Sequence, residues 1–297
     1  MERLLTGSAS DTGRVREHNE DSVRIADPAA SLVQQRGLLV AVADGMGGHE
    51  RGEVASNLAI ETLFSSYYDP ETTVGNAPND VIAALEQGFK AANDEIRAET
   101  TGGPTAGSMG TTMVAAVVRG DHLTVANVGD SRAYLVRAEA ATQITRDHSL
   151  VAEQVTKGLI TAEEARDSMA RNVITRALGH LPKLDVDIFE IQLLPDDRVI
   201  LCCDGVHGHV EPADFAEIAL HNAPQQASQA LIDLALERGS TDNVTAAMLS
   251  YAPTAMAETA VDRTPAGGGS KVGLLVALVA LVLIIAIAAA LYFFFLS

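Results

Sequence analysis

Six apolar runs of strand length, at 38–43, 113–118, 123–128, 133–136, 199–203 and 244–249, are set apart by Gly-Asp punctuation and polar stretches. Between the second and third, Arg119-Gly120-Asp121-His122 predicts a hairpin turn. Elsewhere the apolar positions recur at helical spacing, over 53–66, 78–98, 148–157, 161–169, 212–221 and 225–238. The strands cluster as hairpins and the helices group in blocks, without regular β-α-β alternation. That order predicts an α+β layered sandwich over residues 1–251.

A different pattern closes the chain. Residues 272–296 carry no charge and are dominated by Leu, Val, Ala and Ile. As a helix this stretch is roughly 37 Å long, enough to cross a bilayer core of about 30 Å with some tilt. Tyr292, Phe293, Phe294 and Phe295 sit at its far end, where an aromatic belt forms. Residues 252–271 are rich in Ala, Pro, Thr and Gly and read as a flexible tether. Arg263 and Lys271 flank the near end, and the N-terminus lacks the apolar core of a signal peptide. Together they predict a single transmembrane helix in the lipid bilayer, with the folded domain on the cytoplasmic side.

Composition narrows the partners. Over 297 residues, 47% are hydrophobic and 20% charged, which suits a globular chain with a sizeable core. The net charge of −18 argues against a nucleic-acid partner, because phosphate backbones demand compensating Lys and Arg. It would repel an anionic phosphoprotein too, unless bound divalent cations reverse the local field. Cys202 and Cys203, the only cysteines, are adjacent in an apolar run. They read as small core residues in a reducing compartment.

The candidate chemistry is carboxylate. Acidic groups recur where apolar runs end or begin, in Asn19-Glu20-Asp21, Asp44-Gly45, Gly129-Asp130-Ser131-Arg132, Asp204-Gly205 and Asp242-Asn243. Any one of them is an ordinary turn signal. Their repetition at strand ends suggests delivery to a common rim. Hard cations such as Mg²⁺ and Mn²⁺ take oxygen ligands and fill their shells with water, and two such ions can clamp an in-line phosphoryl displacement. Zinc suits the chain less well, because no Cys/His cluster has ligand spacing.

The ordered series Gly13-Arg14-Val15-Arg16-Glu17-His18-Asn19-Glu20-Asp21-Ser22, Asp44-Gly45-Met46-Gly47-Gly48-His49, Met109-Gly110-Thr111-Thr112 and Asn127-Val128-Gly129-Asp130-Ser131-Arg132 resembles the type-2C metal-dependent protein phosphatases, the PPM family. It continues through Arg171-Asn172-Val173-Ile174-Thr175-Arg176-Ala177-Leu178-Gly179, Asp204-Gly205 and Thr241-Asp242-Asn243-Val244-Thr245. The resemblance spans about 6–250 and is similar to the bacterial branch, with Met-Gly-Gly-His after Asp-Gly.

The resemblance implies a four-layer α-β-β-α sandwich, two antiparallel sheets flanked by helices, with metals in a cleft at one end. It implies hydrolysis of phosphoserine and phosphothreonine by a metal-bound hydroxide, without a phosphoenzyme. Two Mn²⁺ or Mg²⁺ ions are implied, with a third, weaker one in bacterial members. Asp44 would bridge two ions, with the Gly45 carbonyl on one of them. Asp21 would act through the metal shell or its waters, with Glu20 beside it, and Asp204 and Asp242 would hold the other ion. Asp130 would join Asp204 in the third site, and Arg16 would bind the substrate phosphate. His18, His49 and Asn243 stand beside these motifs, in supporting rather than ligating positions. The stretch 148–172 would be a mobile flap bordering the cleft, used for substrate choice. Phosphorylated proteins, a Ser/Thr kinase and its clients, are the implied partners.

Two departures from the family pattern stand out. Met46 holds the position where many eukaryotic relatives carry a histidine proposed as general acid, and it cannot carry a proton. Val206-His207-Gly208-His209 follows Asp204-Gly205, where relatives more often have Leu and a small or acidic residue. A catalytically weak, membrane-tethered phosphoprotein-binding regulator and a phosphatase of small metabolites are the competing readings.

Overall fold

The computed structural model describes residues 3–47, 50–72, 78–102 and 109–252. In chain order they form β1 (Arg3–Asp11), β2 (Asp21–Ile25), α1 (Ser31–Arg36), β3 (Leu38–Met46), α2 (Glu50–Tyr67), α3 (Pro78–Gly102), β4 (Gly110–Thr111), β5 (Met113–Arg119), β6 (His122–Val128), β7 (Arg132–Arg137), β8 (Ala140–Gln143), α4 (Leu150–Thr156), α5 (Ala162–Asp167), β9 (Asp187–Gln192), β10 (Arg198–Cys202), α6 (Asp204–His207), α7 (Pro212–His221), α8 (Pro224–Glu237) and β11 (Val244–Ala252). One compact unit, Met1–Pro253, contains them all. The predicted tether and transmembrane helix lie outside the described residues. Among those described, no helix is long and apolar enough to cross a membrane.

The strands make two antiparallel sheets, in the orders β1-β11-β10-β7-β8 and β2-β3-β5-β6-β9, with β4 added to β3. Strand periodicity decides which face each residue serves. In β10 and β11, Val199, Leu201, Ala247 and Leu249 turn to the core shared with β3 and β5. Their neighbours Ile200, Cys202, Ala246 and Met248 pack under Phe215, Leu231 and Ile232 of α7 and α8. Leu63 of α2, with Leu85 and Phe89 of α3, covers the second sheet. The result is the expected stack of two antiparallel sheets flanked by helices. Both faces of each central strand are buried, which is why β3, β5 and β6 read as continuous apolar runs.

The turn at Gly120-Asp121 forms as expected, with Arg119 and His122 paired across it. The stretch predicted as a flap holds α4 and α5, each started by a side-chain cap. Ser149 accepts from the N–H of Ala152, and Thr161 and Glu164 form a reciprocal capping box. This excursion is closed at its base. The N–H of Leu150 donates to the carbonyl of Val173 at 2.8 Å, and that of Thr175 to the carbonyl of His148 at 2.8 Å.

Candidate metal centre

Asp21 and Asp44 are register partners across β2 and β3, so their side chains rise from one face of the sheet. Like charges placed directly opposite destabilise a strand pair. The loop after β6, the start of α6 and the loop before β11 carry Asp130, Asp204 and Asp242 to the same end of the sandwich. Burial first, then the charges of Asp21, Asp204, Asp130 and Asp242, pushes the Asp44 carboxyl well above the usual range. Burial, with Asp204 and Asp242, raises Asp21 to about 7. Burial, with Asp204 and Asp147, raises Asp130 to about 8. Asp204 is raised as well, by burial and then by Asp242. The five predicted aspartates therefore form one electrostatic cluster.

The cluster fits hard cations. Asp21 and Asp130 are only 8% and 5% exposed, yet both carboxylate oxygens of Asp21 and Oδ1 of Asp130 have no hydrogen-bond partner. Buried acceptors left unpaired call for an ion or ordered water. Among the described residues, no three His, Cys, Asp or Glu side chains converge into a finished cage for one ion. Mg²⁺-like ions do not need one, because they keep several waters and take only one or two carboxylates each. The fit is thus to water-rich cation sites.

Backbone contacts hold this arrangement. Asp44 N–H donates to Thr112 Oγ1 at 3.2 Å, and its carbonyl accepts from Thr112 N–H at 2.9 Å and Thr111 Oγ1 at 2.8 Å. The N–H of Gly45 donates to the Glu20 carbonyl at 3.1 Å, fixing the peptide whose own carbonyl is an expected ligand. Asn243 ties the opposite wall. Its Oδ1 accepts from Glu20 N–H, and its Nδ2 donates to the carbonyls of Thr12 and His18, each at 2.9 Å. The whole 12–20 loop is so pinned beside Asp242. Arg16, on that loop, pairs with Asp242 at 2.7 Å, and its side chain is 46% exposed.

Glu20 occupies a different place from the aspartates. Its carboxylate lies against Gly52 in the first turn of α2, where any Cβ would collide with Oε2. The start of a helix is favourable ground for an anion. His18 is exposed and contributes its backbone carbonyl, while His49 lies outside the described residues.

His207 escaped assignment from sequence, although its loop drew notice. Its Nε2 donates to the backbone carbonyl of Asp130 at 2.9 Å. Burial and the Arg132 charge push it down to about 3, so the ring is neutral. Beside it Arg132 grips Asp147 through Nε and Nη2, at 2.6–3.1 Å. Thr111 and Thr112, named only as part of a motif, fix Asp44. The only forward signal for them was their small, polar, strand-start composition.

Gly205 makes a stability prediction. A Cβ there would fall onto the carbonyl oxygen of Asn243. Gly205→Ala is expected to cost about 1–3 kcal/mol through overpacking. Urea unfolding should show a lowered midpoint at unchanged slope.

A helix-covered double sheet with a carboxylate cluster at one end fits the phosphatase class that the motifs resemble. Comparison with known proteins agrees. The family profile described as protein phosphatase 2C matches residues 14–237. The serine/threonine phosphatase stp of Listeria innocua is 35% identical over 237 residues, covering 80% of this chain and 91% of that protein. The crystal structure of the Mycobacterium tuberculosis serine/threonine phosphatase PstP/Ppp superposes with a TM-score of 0.72 at 36% identity, covering 84% of this chain and 99% of that one. The catalytic domain of PstP in complex with two manganese ions superposes at 0.71 and 35% identity, covering 85% and 100%. The chain belongs to the protein phosphatase 2C family and is a serine/threonine protein phosphatase.

Proposed function

We propose that this phosphatase hydrolyses phosphoserine and phosphothreonine in proteins with two Mn²⁺ or Mg²⁺ ions. Asp21, Asp44, Asp204, Asp242 and the Gly45 carbonyl would hold them. Asp130, with Asp204, would hold a third, weaker ion. The observation that carries this reading is the register pairing of Asp21 with Asp44, together with the buried, unpartnered carboxylate oxygens of Asp21 and Asp130. Bound there, the ions neutralise phosphoryl charge and supply an activated water as nucleophile.

The chain's own groups do the rest. Threonines and Asn243 hold the carboxylates in place before substrate arrives, so little reorganisation is needed. Arg16 stands at the rim and offers a planar fork for two phosphate oxygens. Met46 carries no proton for the leaving oxygen. The deciding experiment is phosphate release from a phosphothreonine peptide during Mn²⁺ titration, compared with nucleotide and sugar phosphates. Turnover on the peptide that vanishes with chelator is expected. Undiminished turnover in chelator, or preference for the small phosphates, would sink the reading.

Arg16→Lys is expected to reduce kcat/KM on the peptide by about 10–100-fold, because a point charge cannot make the paired bonds. Stability should not change, since the Arg16–Asp242 pair is half exposed. Steady-state kinetics beside a melting curve separates the two effects.

Residues 272–296 support a placement at the cytoplasmic membrane face, with membrane-associated kinases and their clients as substrates. Tethering raises effective concentration toward such partners. If cells expressing a chain truncated after 251 dephosphorylate membrane-bound substrates as well as before, that placement fails.

A further inference from the structure

Asp130 stands on the β6–β7 loop, not within a strand, and the loop must keep its buried carboxylate close to that of Asp204. Strand pairing between β7 and β10 ends at Arg132 and Cys202, two residues short of Asp130 and Asp204. Hydrogen bonds from two directions hold the loop beyond that point. On one side the Gly129 N–H donates to His148 Nδ1 at 3.1 Å, and the Gly129 carbonyl accepts from His148 N–H at 3.0 Å. On the other side the carbonyl of Asp130 itself accepts from His207 Nε2 at 2.9 Å.

His207 closes α6, the four-residue helix that Asp204 opens. Beyond the β7–β10 pairing, this hydrogen bond joins the element bearing Asp204 to the loop bearing Asp130. A shorter side chain at 207 would not reach across it.

We infer that His207 is a positioning residue that sets the spacing of Asp130 and Asp204, and with it the affinity of the weakest cation site. The inference rests on the proposed reading of Asp130 as a metal ligand. Groups that orient ligands from outside the coordination shell typically change metal affinity by about 10–100-fold when removed.

The test is calorimetric titration of the full-length protein with Mn²⁺, for the parent, Asp130→Ala, His207→Ala and His207→Gln. Asp130→Ala should erase the weakest binding event. His207→Ala should weaken that same event by about 10–100-fold and leave the tighter events unchanged. His207→Gln, whose amide N–H can donate to the same carbonyl, should recover most of the loss. Peptide turnover by His207→Ala should fall at limiting Mn²⁺ and return as Mn²⁺ is raised. An unchanged weak event in His207→Ala overturns the inference. So does a uniform weakening of every event together with a lowered melting temperature, which would make His207 a packing residue only. If Asp130→Ala itself leaves all events intact, the ligand reading of Asp130 falls first.

Discussion

Asp44→Ala is expected to reduce phosphopeptide turnover by more than about 10³-fold, since loss of a single preorganised donor to a transition state already costs 10²–10³. Asp44 is the member of the cluster on which the other four aspartates all act. In the proposed reading, its removal takes away the ligand that the two ions would share. The same substitution should not harm the metal-free fold. It deletes a carboxylate that faces Asp21 across the strand pair, and at pH values where both ionise, relief of that repulsion should leave the protein in chelator at least as stable as the parent. Kinetics at saturating Mn²⁺ and melting curves in chelator test both halves. Activity within tenfold of the parent would remove Asp44 from the centre of the mechanism, and a collapsed melting temperature would make it structural.

In chelator, stability is expected to fall as pH rises from about 4 to about 8. Asp21 and Asp130 are raised from 3.8 to about 7 and about 8 in the folded chain. Below pH 3.8 both states are protonated and these groups are neutral in their effect. Above it the unfolded chain releases protons that the folded chain still binds, so each further step in pH favours unfolding. The penalty is complete once pH passes the folded-state values. Mn²⁺ replaces the protons as counter-charge, and the gain in melting temperature on adding it should be larger at pH 8 than at pH 5. Urea midpoints at these two pH values, with and without chelator, decide the matter. A flat profile in chelator would show that the cluster is not strained.

Which parts of this architecture could be read ahead of the structure follows from burial. β3, β5, β6, β7, β10 and β11 announce themselves because their apolar runs are packed from both sides. β1 does not, because Gly7 and Ser8 face α8 closely and leave little room for large side chains. β8 has only Ala140, Ala141, Thr142 and Gln143 to show, and β9 is a half-exposed edge strand. At the site, the aspartates were legible because strand ends are visible in the pattern. The seat of Glu20 was not, since it depends on a glycine 32 positions away that leaves space at the start of α2. Nor was the reach of His207, whose partner carbonyl is 77 residues distant and carries no side-chain signature.

The closed base of the 150–173 excursion bears on how such enzymes diversify. The chain departs and returns through two backbone bonds, beside a histidine ring fastened to Gly129. Whatever lies beyond that clasp is expected to tolerate changes of length or sequence with little strain passed to the carboxylates. The segment is a ready graft point, where new recognition surfaces can be tried while the hydrolytic chemistry is inherited intact.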